Sequence, residues 1–470
     1  MFISRLQRQQ RLFRAVLCVL FLSFISWSPK DAMALSIEEE TTLGDEFFAQ
    51  VQKYFTVVED DFLNDYINRV GKYLSEAIEV NPFPFRFYIL KDGSLNAFAA
   101  PGGRIFIFTG LITETDRLPE LAAVICHELG HVSARHLSAR VDQGKKIGLA
   151  TLAGILAGVL IGGPAAGAII TGTMAAGIQT QLHYSRNDER EADQLGFSYM
   201  RSAGLDPGSM VSVLSKIERG RWMGTDKVPA YLLTHPTGPE RMANIDTLTR
   251  EHPDLAQREE ALRLAEEYPF FRASVLALHM DSSDAMRSFR AEIKKNPGSA
   301  PGYYGLGLIM KQRADFAVAS EYLSRAMRYA PHSAAVSRGL AEMYQSSGNT
   351  EDAIALLNKV LEKDRDDKAA LFILAGCYQS KEEHEKAVSI YERLKAFPPV
   401  RDDVFHNLGV SYGKLDRLSH AHFNFGFFFK KKGDMRMARF HFEKARELSA
   451  GDKEMLERIE KALQPKPRGN

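Results

Sequence analysis

Two hydrophobic periodicities divide the first half of the chain into predicted helices and strands. Apolar side chains recur every three to four residues in segments 36–54, 62–78 and 118–137, and this spacing predicts amphipathic helices. Segments 85–90 and 104–108 alternate or run apolar with aromatic and β-branched residues, which indicates strands. The sequence NAFAAPGG between those strands contains proline and glycines, which are turn signals. We therefore expect a mostly helical region with a small sheet.

A 34-residue period replaces this pattern from about residue 268 onward. Alanines recur every 34 residues, and an apolar or aromatic residue follows four positions after each. The pairs are Ala285 with Phe289, Ala319 with Leu323, Ala353 with Leu357, Ala387 with Tyr391, and Ala421 with Phe425. A small residue preceded by leucine lies twelve positions before the last four alanines, at Gly307, Ala341, Ala375 and Gly409. Small residues at this period, where two helices cross, are typical of tetratricopeptide repeats.

The last repeat is predicted to share a helix with the repeat before it. Ala438 lies 17 residues after Ala421, which is half a period, and Phe442 follows it in register. Gly426 then fills the small position of this last unit. The helix over 418–431 should therefore serve as the second helix of one repeat and the first helix of the next.

The N-terminus has the pattern of an export signal. Four arginines within the first 14 residues precede an apolar run of 13 residues, 15–27, which is short for a membrane span. Ala32-Met33-Ala34 supplies the small residues of a cleavage site, so the mature chain is expected to begin near Leu35. An uncleaved membrane anchor is the alternative.

Charge and cysteine content narrow the function further. The chain has 470 residues and a formal net charge of +1, so no overall positive field favours a nucleic-acid partner. Removal of the signal would leave only Cys126 and Cys377. These lie in different segments, and we expect two buried thiols without a disulfide bond, even in an oxidising compartment.

A long apolar segment, 147–185, contains no Asp, Glu, Lys or Arg. Gly162-Gly163-Pro164 divides it into two arms, each shorter than the roughly 20 residues that span a bilayer. Three interpretations remain open: a buried helical hairpin, a lid that touches substrate or a membrane surface, and a re-entrant or spanning hairpin.

The sequence CHELGH in the predicted helix 118–137 suggests a metal site. His127 and His131 are four residues apart and therefore lie on one face of a helix, where both can bind one zinc ion. Glu128 lies on the neighbouring face, where it can act as a general base. A pair of surface histidines on an amphipathic helix is the alternative.

A third ligand is predicted in the sequence YSRNDEREADQLG. Glu189 can bind the metal, and Asp193, four residues later on a predicted helix, can accept the other ring N–H of a ligand histidine. The alternative for Glu189 is a solvated charge run, since Asp188 and Glu191 are nearby. His136 is one residue short of a metzincin position, so we expect it to point elsewhere and to be structural.

With these motifs the sequence resembles the M48 family of zinc metallopeptidases. HELGH at 127–131, SRNDEREAD with Glu189 58 residues past His131, and THPTGPERM carry the resemblance, and NAFAAPGG also resembles the family's pattern. Matched by position, the zinc ligands would be His127, His131 and Glu189, the base Glu128, and the supporting aspartate Asp193. Cys126, which precedes the first ligand, is a departure, and it should point away from the metal.

The resemblance implies one zinc ion per chain and hydrolysis of peptide bonds. His235 and Arg241, in HPTGPER, match the family's histidine and arginine beyond the third ligand, which could stabilise an oxyanion. A turn residue fixed by Pro236 is the alternative for His235. A further hypothesis is that His235 binds the zinc in a resting state, because a fourth protein ligand closes the position that water needs.

The predicted organisation has four parts. Residues 1–34 are a signal peptide, and 35–262 an α+β zincin-like metallopeptidase domain, mostly helical with a small sheet, that includes 147–185. Residues 263–450 are an all-α tetratricopeptide solenoid, and 451–470 a C-terminal helix and tail.

The resulting expectation is an exported, periplasmic zinc endopeptidase, associated with the outer membrane, that cleaves misfolded or stalled envelope proteins. By resemblance, its partners would be outer-membrane β-barrel proteins and their assembly machinery, reached through the repeats, with peripheral membrane contact through 147–185. Two alternatives stay open: a chaperone or scaffold with a mostly silent peptidase, and an integral membrane peptidase of the same family.

Overall fold

The computed structural model describes residues 35–79, 81, 83–140, 185–222, 231–232, 235, 239–397 and 400–464. The predicted signal peptide and all but the last residue of the apolar segment 147–185 lie outside these residues. Within the part of the chain that is described, no helix has both the length and the apolar character needed to cross a bilayer.

The first region, which runs from residue 35 to residue 251, contains a three-stranded sheet and eight described helices. The strands are β1 (Arg86–Leu90), β2 (Ala97–Ala100) and β3 (Arg104–Phe108). The helices are α1 (Ile37–Tyr54), α2 (Asp61–Ser75), α3 (Thr109–Glu114), α4 (Leu118–Ser133), α5 (His136–Arg140), α6 (Arg186–Ser202), α7 (Ser209–Trp222) and α8 (Pro239–Glu251). This composition confirms the predicted mostly helical domain with a small sheet.

Strand β3 lies in the middle of the sheet, parallel to β1 and antiparallel to β2. Arg86 pairs with Arg104, and Ala97 pairs with Ile107. Only a turn was predicted between the outer segments, so strand β2 within NAFAAPGG was missed. Its four residues are all buried, and the turn that follows places Gly102 and Gly103 at positive φ.

Helix α4, which carries HELGH, runs through the centre of the first region. Its residues from Leu121 to Val132 are all buried, and it packs against α6, α7, α2 and strand β2. Two glycines allow the close crossing with α6. A Cβ on Gly130 would lie 2.8 Å from the carbonyl oxygen of Ala192, and one on Gly196 would lie 3.1 Å from the His127 nitrogen. This crossing sets α6 directly beside the histidines of α4.

Helix α4 ends earlier than the sequence predicts. It stops at Ser133, and Arg135 takes the left-handed conformation with φ 53°, which redirects the chain into α5. The Arg135 guanidinium donates hydrogen bonds to the Leu35 carbonyl (2.5 Å) and to Glu40 Oε2 (2.8 Å). These contacts help to hold a conformation that non-glycine residues rarely adopt.

A long helix, α9 (Glu259–His279), belongs to both halves of the molecule. Tyr268 and Phe271 are fully buried in the core of the first region, whereas Phe270 and Ala277 pack in the first cluster of the repeats. The predicted domain boundary between residues 262 and 263 therefore falls inside a helix that the two halves share.

The repeats form pairs of antiparallel helices after α9. They are α10 (Ser282–Lys295), α11 (Ala300–Gln312), α12 (Phe316–Tyr329), α13 (Ala334–Ser346), α14 (Thr350–Lys363), α15 (Lys368–Ser380), α16 (His384–Leu394), α17 (Asp402–Lys414), α18 (Leu418–Lys431), α19 (Met435–Leu448) and α20 (Lys453–Leu463). The shared helix predicted over 418–431 is α18, and it packs against both α17 and α19. Gly426 makes room for Phe442, since a Cβ there would lie 2.5 Å from that ring.

The repeat array contacts the first region directly. Arg401 forms an ion pair with Asp61 at the start of α2 (3.0 Å), and its guanidinium lies 4.1 Å from the ring centre of Phe372. Arg338 lies 4.5 Å from the ring centre of Phe62. Cys126 and Cys377 are buried and unbonded, which confirms the prediction of two thiols without a bridge.

Candidate metal centre

Two helices bring the predicted ligands together. His127 and His131 lie one turn apart on α4, with their Nε2 atoms 3.1 Å from each other. Glu189 lies on the first turn of α6, where Ser185 caps the helix, and its carboxylate oxygens are 3.4 Å from the two Nε2 atoms. All three side chains are buried. The alternative of exposed histidines and a solvated charge run is therefore wrong for these residues.

His235 completes the cluster. Its Nδ1 is 2.9 Å from Glu189 Oε1 and 3.3 Å from His127 Nε2, and the ring is fully buried. Tyr231 stacks on this ring, with 4.6 Å between the ring centres. The sequence analysis did not single out Tyr231, because nothing in the local sequence signals that it packs against His235.

The spacing of these groups suits a zinc ion. Tetrahedral zinc with nitrogen and oxygen ligands at about 2.0–2.1 Å has ligand atoms roughly 3.4 Å apart. The distances between the ligand atoms given above range from 2.9 to 3.4 Å. Among the described residues, His127, His131, Glu189 and His235 form the group whose ligand atoms lie close enough together to hold one metal ion. The donor set of imidazole nitrogens and one carboxylate fits zinc.

Asp193, paired with Arg241, orients the ring of His127. Asp193 Oδ1 lies 3.0 Å from His127 Nδ1, as predicted for a supporting aspartate. Arg241 donates two hydrogen bonds of 2.7 Å to Asp193, from Nε to Oδ2 and from Nη2 to Oδ1. Its Nη1 lies 2.7 Å from Glu189 Oε2. In this arrangement Arg241 fixes the two carboxylates of α6; its oxyanion role stays a prediction.

His136 supports the second histidine and lies outside the ligand cluster, as expected for a structural residue. Its Nδ1 lies 2.9 Å from His131 Nδ1, and its Nε2 lies 3.2 Å from Glu191 Oε2. A helix that continued to residue 137, as the sequence predicts, would turn His136 away from His131. Because the helix ends at Ser133, α5 brings the ring back toward His131.

Glu128 lies beside the cluster and is held by the sheet. The backbone N–H of Ala99 in β2 donates to Glu128 Oε2 at 2.9 Å. Oε1 is buried and makes no hydrogen bond with the described residues, and His235 Nε2 lies 3.5 Å from it. Burial raises the pKa of Glu128 above that of an ordinary glutamate. A raised pKa suits a group that must both accept and return a proton near neutral pH.

The pKa values of the other groups follow from their neighbours. Burial opposes ionisation of Glu189, but His235, His127 and His131 outweigh burial and hold its pKa well below the usual value. Burial lowers the pKa of His131 well below its usual value. For His127, burial acts in the same direction, but Asp193 and Glu189 prevail and raise its pKa to about 9. The pKa shifts of Glu189 and His131 favour the charge states that metal binding requires, whereas His127 would release a proton when a metal binds.

Two parts of the chain match known protein families. Residues 62–249, which include every residue of the cluster, match Peptidase family M48. Residues 310–371 and 346–408 match the tetratricopeptide repeat.

The chain is also similar to curated proteins and to solved structures. The chain is 26% identical over 375 residues to the beta-barrel assembly-enhancing protease of Yersinia pestis, covering 77% of this chain and 75% of that protein. It is 31% identical over 236 residues to the protein of the same name from Escherichia coli strain K12, covering 49% of this chain and 48% of that protein. It thus spans about half of the second relative. The solved tetratricopeptide protein YrrB covers 46% of this chain at 17% identity, with a TM-score of 0.27 and 97% of its own length.

Proposed function

This chain carries a Peptidase family M48 domain followed by tetratricopeptide repeats, as its sequence predicted, and on this premise we propose that it is a zinc metalloendopeptidase of the bacterial envelope. The observation that carries the proposal is the buried cluster of His127, His131 and Glu189 with Glu128 beside it. Zinc bound by the first three residues would supply a Lewis acid that polarises a peptide carbonyl and acidifies water.

The chain's own residues would perform the remaining steps. Glu128 Oε1 accepts the proton of the attacking water and returns it to the leaving amine, while Oε2 stays bound to the Ala99 N–H. Asp193 and Arg241 keep His127 and Glu189 oriented. The complete set of these groups argues against a scaffold with a silent peptidase.

The substrates we propose are misfolded or stalled envelope proteins, and the repeat array would act as the adaptor. Two relatives are named for enhancing β-barrel assembly, and stacked helix pairs form extended surfaces that bind other proteins. We therefore propose that the protein acts in the periplasm, at the outer membrane, with the β-barrel assembly machinery as partner.

One substitution tests the peptidase. Glu128→Gln removes the base without removing a ligand, so it should retain zinc and lose casein hydrolysis by about 10²–10⁴-fold. Glu251→Gln, an exposed glutamate on α8, is the matched control and should retain the wild-type rate. Undiminished hydrolysis by Glu128→Gln, with zinc still bound, would rule out the proposed mechanism.

A further inference from the structure

We infer that His136 is a positioning residue for the metal centre, and that it holds His131 through a directed hydrogen-bond chain that ends at Glu191. The inference rests on the proposed function only in taking His131 as a metal ligand. Each link is a contact between ring or carboxylate atoms, and each is independent of the repeats.

The contacts form a continuous series across three helices. His131 on α4 meets His136 on α5, with their Nδ1 atoms 2.9 Å apart. The opposite ring nitrogen of His136, Nε2, lies 3.2 Å from Glu191 Oε2 on α6. Both imidazoles are buried, whereas the Glu191 side chain is 60% exposed. The series therefore leads from the centre of the cluster to the surface.

Only one set of tautomers satisfies every link and also leaves a lone pair for a metal. His131 Nε2 faces the ligand cluster, so it must carry the lone pair, and the proton of a neutral ring then lies on Nδ1. This N–H donates to His136 Nδ1, which must be the acceptor. His136 consequently carries its proton on Nε2 and donates it to the Glu191 carboxylate. All donors point outward from the metal position.

The backbone provides the reason that His136 can reach this position. The left-handed conformation of Arg135 turns the chain immediately after α4, and its side chain is held by the Leu35 carbonyl and Glu40. Without that turn, a continuing helix would carry residue 136 around the axis, five residues and about 500° past His131. The two ligand histidines of α4 thus have different supports: a buried carboxylate for His127 and a neutral imidazole for His131.

Zinc affinity tests the inference in the full chain. Removing a group that orients a metal-bound histidine typically costs about 10–100-fold in metal affinity. His136→Leu, which has no acceptor, should weaken Zn²⁺ binding by this factor in competition with a chromophoric chelator. His136→Asn places an amide oxygen near the position of Nδ1 and should restore most of the affinity. His332→Gln, an exposed histidine in the repeats, is the control and should bind Zn²⁺ as the wild type does.

A second readout does not depend on bound metal. In zinc-free protein with ¹⁵N-labelled histidine, the imidazole nitrogen shifts should show His131 protonated at Nδ1. His136→Leu should move His131 toward the other tautomer, which a merely space-filling role would not do. A wild-type His131 protonated at Nε2 would overturn the inference, and so would wild-type zinc affinity in His136→Leu.

Glu191, at the exposed end of the hydrogen-bond series, provides a test that remains valid if His136→Leu fails to fold. Glu191→Ala should fold normally and weaken Zn²⁺ binding by less than His136→Leu, whereas Gln194→Ala, exposed on the same helix, should have no effect. Equal affinities for these two variants would overturn the inference, because Glu191 would then not be the end of the hydrogen-bond series. If instead Glu189→Ala retained Zn²⁺ binding, the metal site itself, and with it the proposed function, would be refuted.

Discussion

Arg241 binds Asp193 through two parallel hydrogen bonds, each 2.7 Å long, in a place where both side chains are almost completely buried. The pair joins α8 to α6 across 48 positions of the sequence. Since Asp193 in turn meets His127 Nδ1, the orientation of a predicted ligand on α4 depends on an arginine that lies on α8.

Arg241→Met should lower the free energy of unfolding by about 3–5 kcal/mol, because it leaves two buried carboxylates without their cation. Denaturant unfolding of the zinc-free chain measures this change. Arg250→Met on the same helix is the control: its ion pair with Asp246 is exposed, and such pairs contribute about 1 kcal/mol or less. Similar losses in the two variants would contradict the structural role of Arg241.

Removal of metal should destabilise the wild-type chain and should leave the stability of the Glu189→Ala variant unchanged. A ligand that binds only the folded state stabilises it by about 2.7 kcal/mol when its free concentration is 100 times Kd. For the wild type we expect one zinc per chain by metal analysis and a fall in Tm on chelation. For Glu189→Ala we expect no bound zinc and no change in Tm on chelation. A Glu189→Ala protein that keeps one zinc would exclude Glu189 as a ligand.

His235 should restrain the peptidase. Its Nδ1 faces the ligand cluster and its Nε2 faces Glu128 Oε1, so the ring lies between the predicted ligands and the proposed base. His235→Ala should then raise casein turnover at saturating zinc and increase self-cleavage. The competing oxyanion role predicts that casein turnover decreases by about 10²–10³-fold, and such a decrease would contradict the proposed restraint. His332→Gln serves as the control.

Truncation after Met280 should retain zinc binding and lose partner capture by crosslinking. This end point keeps α9, whose Tyr268 and Phe271 are buried in the core of the first region. A deletion that begins at Tyr268, where the repeat pattern starts, should unfold the first region, since loss of one buried aromatic side chain costs about 3–5 kcal/mol. Unchanged crosslinking partners after truncation would contradict the adaptor role.

The two thiols should be unreactive in the folded protein. Burial raises the pKa of the Cys126 thiol, and it raises that of Cys377 to about 11. Because the thiolate is the reactive form, a chromogenic disulfide reagent should label neither at neutral pH in a chain that begins at Leu35, and both in denaturant. Rapid labelling of the native protein would show that one of the thiols is exposed.

Local spacing determined much of this protein in advance. Residues four apart share a helix face whatever surrounds the helix, so His127 and His131 could be paired from sequence. The 34-residue period placed α18 within the repeats, because each repeat buries the same small positions, such as Gly426 against Phe442. Strand β2 could not be predicted, because its four residues are too few to show an alternating pattern and the adjacent Pro101 and two glycines indicate a turn.

Tertiary structure alone decided how the ligand histidines are supported. Arginine gives no local signal for positive φ, so the turn at Arg135 that ends α4 and returns His136 to His131 could not be read from the sequence. The contact of Arg241 with Asp193 likewise forms only when α8 and α6 pack together. Hydrogen bonds between distant segments depend on where whole elements meet in space, and a sequence pattern reports only the geometry within each element.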